Sequence, residues 1–185
     1  AESRGMYGID VGYSSTGSST GSSTGSSTGT VEDLGTNGSL SLNAGESKTV
    51  KINGLTYTIT NNTNKDHSFT YSTDANGQIS FEQTSTAGTT GNDISIVAAD
   101  GQQDNIYLKD GTWYLDTGDM NDTIVAGKGD YTWGTNNVVV HGGDGDDDIT
   151  LCTTTGTAYG DGGNDNITVQ MGNSDTGTGA NSAYG

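Results

Sequence analysis

Aspartate residues recur at a regular spacing in the C-terminal half of this chain. Four segments share one pattern, in which an Asp is followed by an apolar residue two and four positions later. They begin at Asp104, Asp122, Asp147 and Asp165, so the spacings are 18, 25 and 18 residues. Carboxylates in glycine-rich turns are the oxygen ligands that a hard cation such as Ca²⁺ prefers. The pattern therefore predicts calcium chemistry.

Each of these Asp residues closes a bend that is rich in glycine and aspartate. The two most regular bends run from Gly142 to Asp147 and from Gly160 to Asp165. Glycine permits the left-handed backbone that such bends need, and it leaves carbonyl oxygens accessible to a shared ion. We expect the carbonyls and the closing carboxylate of a bend to surround one cation.

The elements that position these bends follow from a nine-residue period. Apolar residues are nine apart in two series, one comprising Val97, Ile106, Leu115, Ile124 and Trp133, the other Val140, Ile149, Ala158 and Ile167. Strong and weak copies alternate, which predicts an 18-residue coil with two strands and inward apolar side chains. The spacing of 25 is interpreted as 18 plus a seven-residue insertion within Gly127–His141.

The segments 142–151 and 160–169 closely fit Gly-Gly-x-Gly-x-Asp-x-apolar-x, with Asp161 in place of the second glycine. They resemble the nonapeptide repeats of the repeats-in-toxin (RTX) family, and segments 99–108 and 117–126 resemble them more weakly. The resemblance implies a short parallel β-roll (a β-solenoid) over residues 98–171, with Ca²⁺ held between neighbouring turns.

The ligands that the resemblance implies can be named residue by residue. The side-chain ligands are Asp104, Asp122, Asp147 and Asp165, the backbone ligands are Gly142, Asp144, Gly145, Gly160, Gly162 and Gly163, and Asp119 is a further candidate. The alternate bends carry Trp113, Tyr131 (or Val138) and Gly156 where the family has Asp. We therefore expect calcium along one edge only.

Composition limits the classes of function. Of the 185 residues, 29% are hydrophobic, 31 are glycine and none is proline, while the net charge is −17. Residues 93–170 hold 14 Asp, no Glu and two Lys. This charge argues against nucleic-acid binding, and no stretch is long enough to span a membrane. Cys152 is the only cysteine, which excludes an internal disulfide.

The N-terminal half predicts further β-structure, so the fold class is all-β. Residues 1–13 are predicted to form a strand, because Tyr7, Ile9, Val11 and Tyr13 alternate with small or polar residues. Residues 14–29 are a Ser/Thr/Gly linker. Residues 30–97 predict a small antiparallel β-domain or cap, with a hairpin at Asn53-Gly54. Residues 172–185 form a polar tail.

Two functions remain open. The first is an extracellular calcium-binding structural protein (a matrix, surface-layer or fibre subunit), secreted or on the bacterial cell surface. It would self-assemble by donating its N-terminal strand to a neighbouring copy. The second is a calcium-dependent RTX module of a larger secreted toxin, hydrolase or adhesin. Because the chain starts at Ala1 without a visible signal peptide, we expect a processed product or a fragment.

Neither function requires catalysis by this chain. His67 and His141 lack a zinc-binding spacing, and no Gly-x-Ser-x-Gly motif is present, so we expect that the protein is not an enzyme. A glycine- and aspartate-rich solenoid without metal is the structural alternative. Its difficulty is that carboxylates stacked about 4.8 Å apart repel one another unless they are neutralised.

Overall fold

The computed structural model describes residues 30–84, 92–127, 137–153, 155–170 and 180–185. The only regular secondary structure in these ranges is β-strand, which confirms the all-β class. No helix of the described residues could therefore cross a membrane. The expected N-terminal strand with Tyr7, Ile9, Val11 and Tyr13 lies outside the described residues, as do the linker, Tyr131 and Trp133.

The described chain forms fifteen strands. In chain order they are β1 (Glu32–Asp33), β2 (Asn37–Leu42), β3 (Ser47–Ile52), β4 (Leu55–Asn61), β5 (His67–Thr73), β6 (Ile79–Gln83), β7 (Ile94–Ala98), β8 (Asn105–Leu108), β9 (Trp113–Asp116), β10 (Thr123–Ala126), β11 (Val138–Asp144), β12 (Asp148–Leu151), β13 (Thr155–Gly162), β14 (Asn166–Val169) and β15 (Ala180–Tyr184). Strand β15 thus lies within the segment expected as a polar tail.

The strands form two mixed sheets. The eight-stranded sheet has the order β1-β3-β4-β7-β9-β11-β13-β15, and the seven-stranded sheet has the order β14-β12-β10-β8-β6-β5-β2. From β6 to β15, consecutive strands alternate between the sheets, and neighbours within each sheet are parallel. Each connection in this part of the chain therefore leads from one sheet to the other.

Strands β2 to β5 extend the same sheets with antiparallel pairs, and β1 adds to β3 in parallel. Strands β5 and β6 pair in one sheet, and β4 and β7 pair in the other. The expected hairpin is confirmed, because Ile52 pairs with Leu55 across Asn53 (φ 52°) and Gly54 (φ 76°). These positive φ values suit the two-residue turn that Asn-Gly favours. Both sheets continue past residue 97 without a break.

The core lies between the sheets, and among the described members of the nine-residue series it follows the period with one exception. Ile106, Leu115 and Ile124 are fully buried, whereas Val97 is 40% exposed. The inward position on β7 belongs to Ile96, which pairs with Leu115. Placing Val97 in the inward series was therefore wrong. The physical reason is that Ile96 and Ile106 are ten residues apart, so the first bend is one residue longer than the repeat.

Aromatic rings fill the core where the antiparallel and parallel strands meet. Trp113 packs edge-on against Phe69 and Phe81, with ring centroids 6.1 and 6.2 Å apart. Tyr57 packs edge-on against Phe81 at 6.2 Å. Edge-to-face contacts of this kind hold rings in defined orientations. The buried Tyr57 ring is thereby held next to the first Asp-bearing bend.

Candidate metal centre

Asp104, Asp122, Asp147 and Asp165 lie along one edge of the paired sheets. Each occupies a connection that leads from the eight-stranded to the seven-stranded sheet, directly before β8, β10, β12 or β14. Because these four strands are adjacent in their sheet, the four residues are neighbours in space. We call them the Asp row. The structure thus brings together the side chains that the sequence predicted as ligands.

A hydrogen-bond ladder connects the members of the Asp row. Asp122 Oδ1 accepts the backbone N–H of Asp104 at 2.7 Å. Asp147 Oδ1 accepts that of Asp122 at 2.8 Å, and Asp165 Oδ1 accepts that of Asp147 at 3.0 Å. The carboxylates of Asp122, Asp147 and Asp165 are therefore each tied to the backbone of the preceding bend through one oxygen.

The second oxygen is buried and has no hydrogen-bond partner in three members of the row. Within the described residues, this holds for Oδ2 of Asp104, Asp122 and Asp147. These residues are only 1–2% exposed. The ion pairs found in the same parts of the chain link Lys48 to Glu46, His67 to Asp93 and His141 to Asp161, so none reaches the row. A buried carboxylate without a counter-charge is costly.

The pKa values of the row reflect this lack of compensation. Burial raises the pKa of Asp104 to about 6, although hydrogen bonds from Tyr57 and Gln102 act in the opposite direction. Burial also raises the pKa of Asp122 to about 7 and that of Asp147 above its ordinary value. Hydrogen bonding alone therefore does not compensate the free-energy cost of ionising these buried carboxylates. A bound cation would compensate this cost, because an opposite charge stabilises the ionised form.

The bends are stacked closely at two of their positions, where most of them carry glycine. At the first, Gly118, Gly143 and Asp161 have φ values of 86°, 92° and 69°. A Cβ on Gly143 would overlap the carbonyl oxygen of Gly118. Asp161 replaces glycine without changing the backbone conformation, and its carboxylate bonds to His141 Nδ1 at 2.8 Å. The departure from the repeat pattern is therefore accommodated locally.

The second close position lies two residues further along each bend. Met120, Gly145 and Gly163 have φ values of 74°, 147° and 135°. A Cβ on Gly145 would overlap the Met120 carbonyl oxygen, and one on Gly163 would overlap the Gly145 carbonyl oxygen. Carbonyl oxygens from one bend therefore lie against the backbone of the next. Such oxygens are typical calcium ligands.

The remaining expected backbone ligands lie in the same stack. Gly142 and Gly160 leave space for carboxylates, because a Cβ there would overlap Oδ2 of Asp147 and of Asp165 respectively. The Gly142 carbonyl accepts a hydrogen bond of 2.9 Å from the Thr117 hydroxyl. The Thr117 hydroxyl also lowers the pKa of Asp122, but less than burial raises it, because the hydroxyl donates its hydrogen bonds to carbonyl oxygens.

The other expected ligands, Asp144, Gly162 and Asp119, also contact neighbouring bends. Asp144 pairs with Gly162 on one side and forms a bridge to Asp119 on the other. The carbonyl of Gly162 accepts the N–H of Gly145 at 2.6 Å. Asp119 is tied to the first bend, where its carboxylate accepts the Gly101 N–H. All the predicted ligand positions therefore lie in the stacked bends.

The donor set fits a hard cation bound partly by main-chain oxygens. Within the described ranges, no group of three or more His, Cys, Asp or Glu side chains is arranged to hold a metal ion. A cation between two bends would therefore need carbonyl oxygens in addition to the carboxylates. Carbonyl groups can serve, because each has two lone pairs and can accept a hydrogen bond while contacting an ion.

Sequence analysis missed two residues that contact the row. Tyr57 Oη donates a hydrogen bond of 2.6 Å to Asp104 Oδ1. Gln102 Nε2 donates to the same atom at 3.0 Å. Nothing in the sequence linked Tyr57 to Asp104, a residue 47 positions away.

Other polar groups lie apart from the Asp row. His67 is buried and its Nε2 lies 2.9 Å from Gln83 Oε1. His141 stacks on Tyr159 at 4.5 Å, on the outer face of the eight-stranded sheet. Asp110 Oδ1 is another buried oxygen without a hydrogen-bond partner among the described atoms, but it lies in a connection at the opposite edge. Neither histidine belongs to the candidate centre.

Comparisons with known proteins identify no relative. No family model, no curated protein and no solved structure matches this chain. The RTX resemblance therefore remains a prediction that depends on the repeat residues themselves.

Proposed function

We propose that this protein is an extracellular calcium-binding structural protein and that its strands β6 to β15 form a β-roll. One observation carries the proposal: Asp104, Asp122 and Asp147 each hold a buried carboxylate oxygen without a hydrogen-bond partner at the edge where the bends stack. Alternation of parallel strands between two sheets supports the β-roll. Calcium ions would lie between successive bends along this single edge.

The available donors favour Ca²⁺ over other common metals. They are carboxylate and carbonyl oxygens, and calcium accepts six to eight such ligands in flexible geometry. Magnesium requires nearly ideal octahedral coordination and retains several waters. Zinc prefers nitrogen and sulfur ligands, and Cys152 and the two histidines lie outside the row. An extracellular calcium module binds at roughly 10⁻⁴–10⁻³ M.

Binding of calcium would be linked to folding. The ladder brings four carboxylates together, and their mutual repulsion opposes folding unless a cation neutralises it. A ligand that binds only the folded state stabilises that state by mass action. The β-roll would therefore become more stable after export into a calcium-rich environment.

Self-assembly is a second part of the proposal and depends on residues 1–13. The alternation of Tyr7, Ile9, Val11 and Tyr13 is typical of a strand that can add to the edge of a sheet. The Ser/Thr/Gly segment 14–29 would provide reach to a neighbouring copy. A chain with residues 1–13 deleted should bind calcium normally but should not form the polymers that electron microscopy would detect for the full chain. Identical polymers from both chains would exclude strand donation.

The calcium proposal is tested on the full chain after chelation. Circular dichroism, thermal unfolding and isothermal titration calorimetry are followed while Ca²⁺ is raised to about 10 mM, which is above the affinity range of extracellular modules. We expect binding heat, a rise in the unfolding temperature and a weaker response to Mg²⁺. Absence of binding heat together with an unchanged unfolding temperature would remove the calcium function.

A further inference from the structure

Asp104 is the first member of the Asp row, because the turn that leads into β6, the parallel neighbour of β8, carries Gly77 at the equivalent position, and the Gly77 N–H donates to the Asp74 carbonyl. In each later member, Oδ1 is held by the backbone N–H of the preceding Asp. On the preceding side of β7, the eight-stranded sheet continues with β4, which is antiparallel to β7. An antiparallel strand runs in the wrong direction to supply an equivalent bend. The Asp104 carboxylate therefore needs another donor.

Tyr57 supplies that donor from β4. Tyr57 pairs with Ala98, the last residue of β7 before the first bend. The Tyr57 side chain is fully buried, and its hydroxyl donates a hydrogen bond of 2.6 Å to Asp104 Oδ1. The hydroxyl thus occupies the place that a backbone N–H occupies in the later bends.

Gln102 completes this junction. Its Oε1 accepts the N–H of Thr56 at 2.9 Å, while its Nε2 donates to Asp104 Oδ1 at 3.0 Å. The first bend is also joined to β4 by a hydrogen bond of 3.0 Å from the Ala99 N–H to the Thr56 carbonyl. The antiparallel strands thereby determine where Asp104 Oδ1 lies. Its Oδ2 is left buried and without a hydrogen-bond partner, as in Asp122 and Asp147.

We propose that Tyr57 is a positioning residue for the first cation of the row, the ion bound between the bends that end at Asp104 and Asp122. This inference rests on the calcium function proposed above. The Tyr57 hydroxyl replaces the missing bend by holding Asp104 Oδ1, so that Oδ2 is presented to the ion. The ring is held edge-on by Phe81, which limits the positions open to the hydroxyl.

The consequence is that the cations of the row are not equivalent. The first ion depends on contacts with β4, whereas ions further along depend on the backbone ladder of Asp122, Asp147 and Asp165. Partners that orient a metal ligand without touching the metal typically account for 10–100-fold in metal affinity. Loss of the Tyr57 hydroxyl should therefore weaken one binding step and leave the later steps unchanged.

The test compares Tyr57→Phe with Tyr71→Phe in the full chain. Both substitutions remove one tyrosine hydroxyl from the antiparallel strands, and Tyr71 Oη donates to the Leu34 carbonyl at 2.8 Å, away from the row. Calcium titration calorimetry of Tyr57→Phe should show one step weakened about tenfold or more, and Tyr71→Phe should match the unchanged protein. Equal binding curves for both variants, or a uniform weakening of every step in Tyr57→Phe, would overturn the positioning role.

A second variant separates positioning from loss of stability. Asp104→Asn keeps an acceptor for the Tyr57 hydroxyl but removes the charge, so it should weaken the same step. Combining it with Tyr57→Phe should add little, because both changes act on one ligand. Fully additive losses would contradict the proposal. If the unchanged protein binds no calcium, the proposed function itself fails. If it binds but Tyr57→Phe behaves like Tyr71→Phe, only this inference fails.

Discussion

The carboxylate of Asp147 accepts a 2.8 Å hydrogen bond from the backbone N–H of Asp122, 25 residues earlier. The same contact joins Asp104 to Asp122 and Asp147 to Asp165, which are 18 residues apart. Strands β10 and β12 remain in register across this interval, with Ile124 opposite Ile149. The seven extra residues therefore fall, in the sequence, between the end of β10 and the start of β11.

Asp147→Asn should stabilise the protein in the absence of calcium but weaken its binding of calcium. The amide oxygen can still accept the Asp122 N–H, but the uncompensated buried charge is removed. In chelator, we expect the free energy of unfolding to rise by about 1 kcal/mol, or the unfolding temperature by about 2–4 °C. With calcium, we expect affinity to fall at least about tenfold. Thermal unfolding and titration calorimetry measure the two effects.

Asp33→Asn is the matched control for this substitution. Asp33 is exposed and its Oδ1 accepts the Gly35 N–H at 2.9 Å, so the change again removes charge and keeps an acceptor. Neither the unfolding temperature in chelator nor the calcium affinity should change appreciably. If Asp147→Asn lowered stability in chelator, the Asp147 carboxylate would be compensated by something other than a cation.

Stability without calcium should fall as the pH rises from about 5 to about 8. Folding raises the pKa of Asp104 to about 6 and that of Asp122 to about 7, above the ordinary aspartate value of 3.8. The folded state therefore binds more protons than the unfolded state in this range, and its stability decreases as they are released. Unfolding temperatures measured across this range in chelator test the sign.

Calcium should reduce or reverse this pH dependence, because a bound cation favours the ionised carboxylates. Asp122→Asn should flatten the curve in chelator, since it removes one of the titrating groups. A stability that rises with pH in chelator would show that the carboxylates of the row are stabilised as anions by the protein alone.

Gly143→Ala should be far more destabilising than Gly45→Ala. Both glycines have positive φ, 92° and 71°, so both substitutions incur the left-handed penalty of about 1–2 kcal/mol. Only at Gly143 would the new Cβ overlap a backbone atom, the Gly118 carbonyl oxygen, while Gly45 has open space. Urea unfolding should show an additional loss of about 2 kcal/mol or more at Gly143. Equal losses would indicate that the bends can separate freely.

Met120→Gly should stabilise the protein. Met120 has a φ of 74° at the position that Gly145 and Gly163 occupy in later bends, and its side chain is 46% exposed. Removing the left-handed strain should contribute about 0.5–1 kcal/mol, after the entropic cost of glycine is subtracted. Asn53→Gly is the control, since Asn at φ 52° tolerates this conformation and should gain less. No gain at Met120 would show that its side chain makes compensating contacts.

Several features were predictable because they repeat or depend on adjacent residues. The spacing of Asp104, Asp122, Asp147 and Asp165 predicted residues at equivalent positions, and the structure places them in one row. Asn53-Gly54 predicted its hairpin because only a few residue types readily adopt positive φ there. Each of these signals is local or is repeated in identical form along the chain.

The remaining features depend on contacts between segments that are distant in sequence. The first bend is one residue longer than the repeat. For this reason Ile96, and not Val97, points inward from β7. The antiparallel strands could not be predicted as neighbours of the first bend, because strand pairing is decided by the assembled sheets.

The sequence by itself determined a row of carboxylates spaced by 18 residues, with one longer interval of 25, because residues at equivalent positions of stacked repeats become neighbours. Only the tertiary structure decided how the row begins. It places Tyr57 against Asp104, since β4 ends the parallel series on that side and a buried carboxylate there requires a donor. It also reveals that one oxygen each of Asp104, Asp122 and Asp147 lacks a partner, because burial and hydrogen bonding are properties of the packed chain.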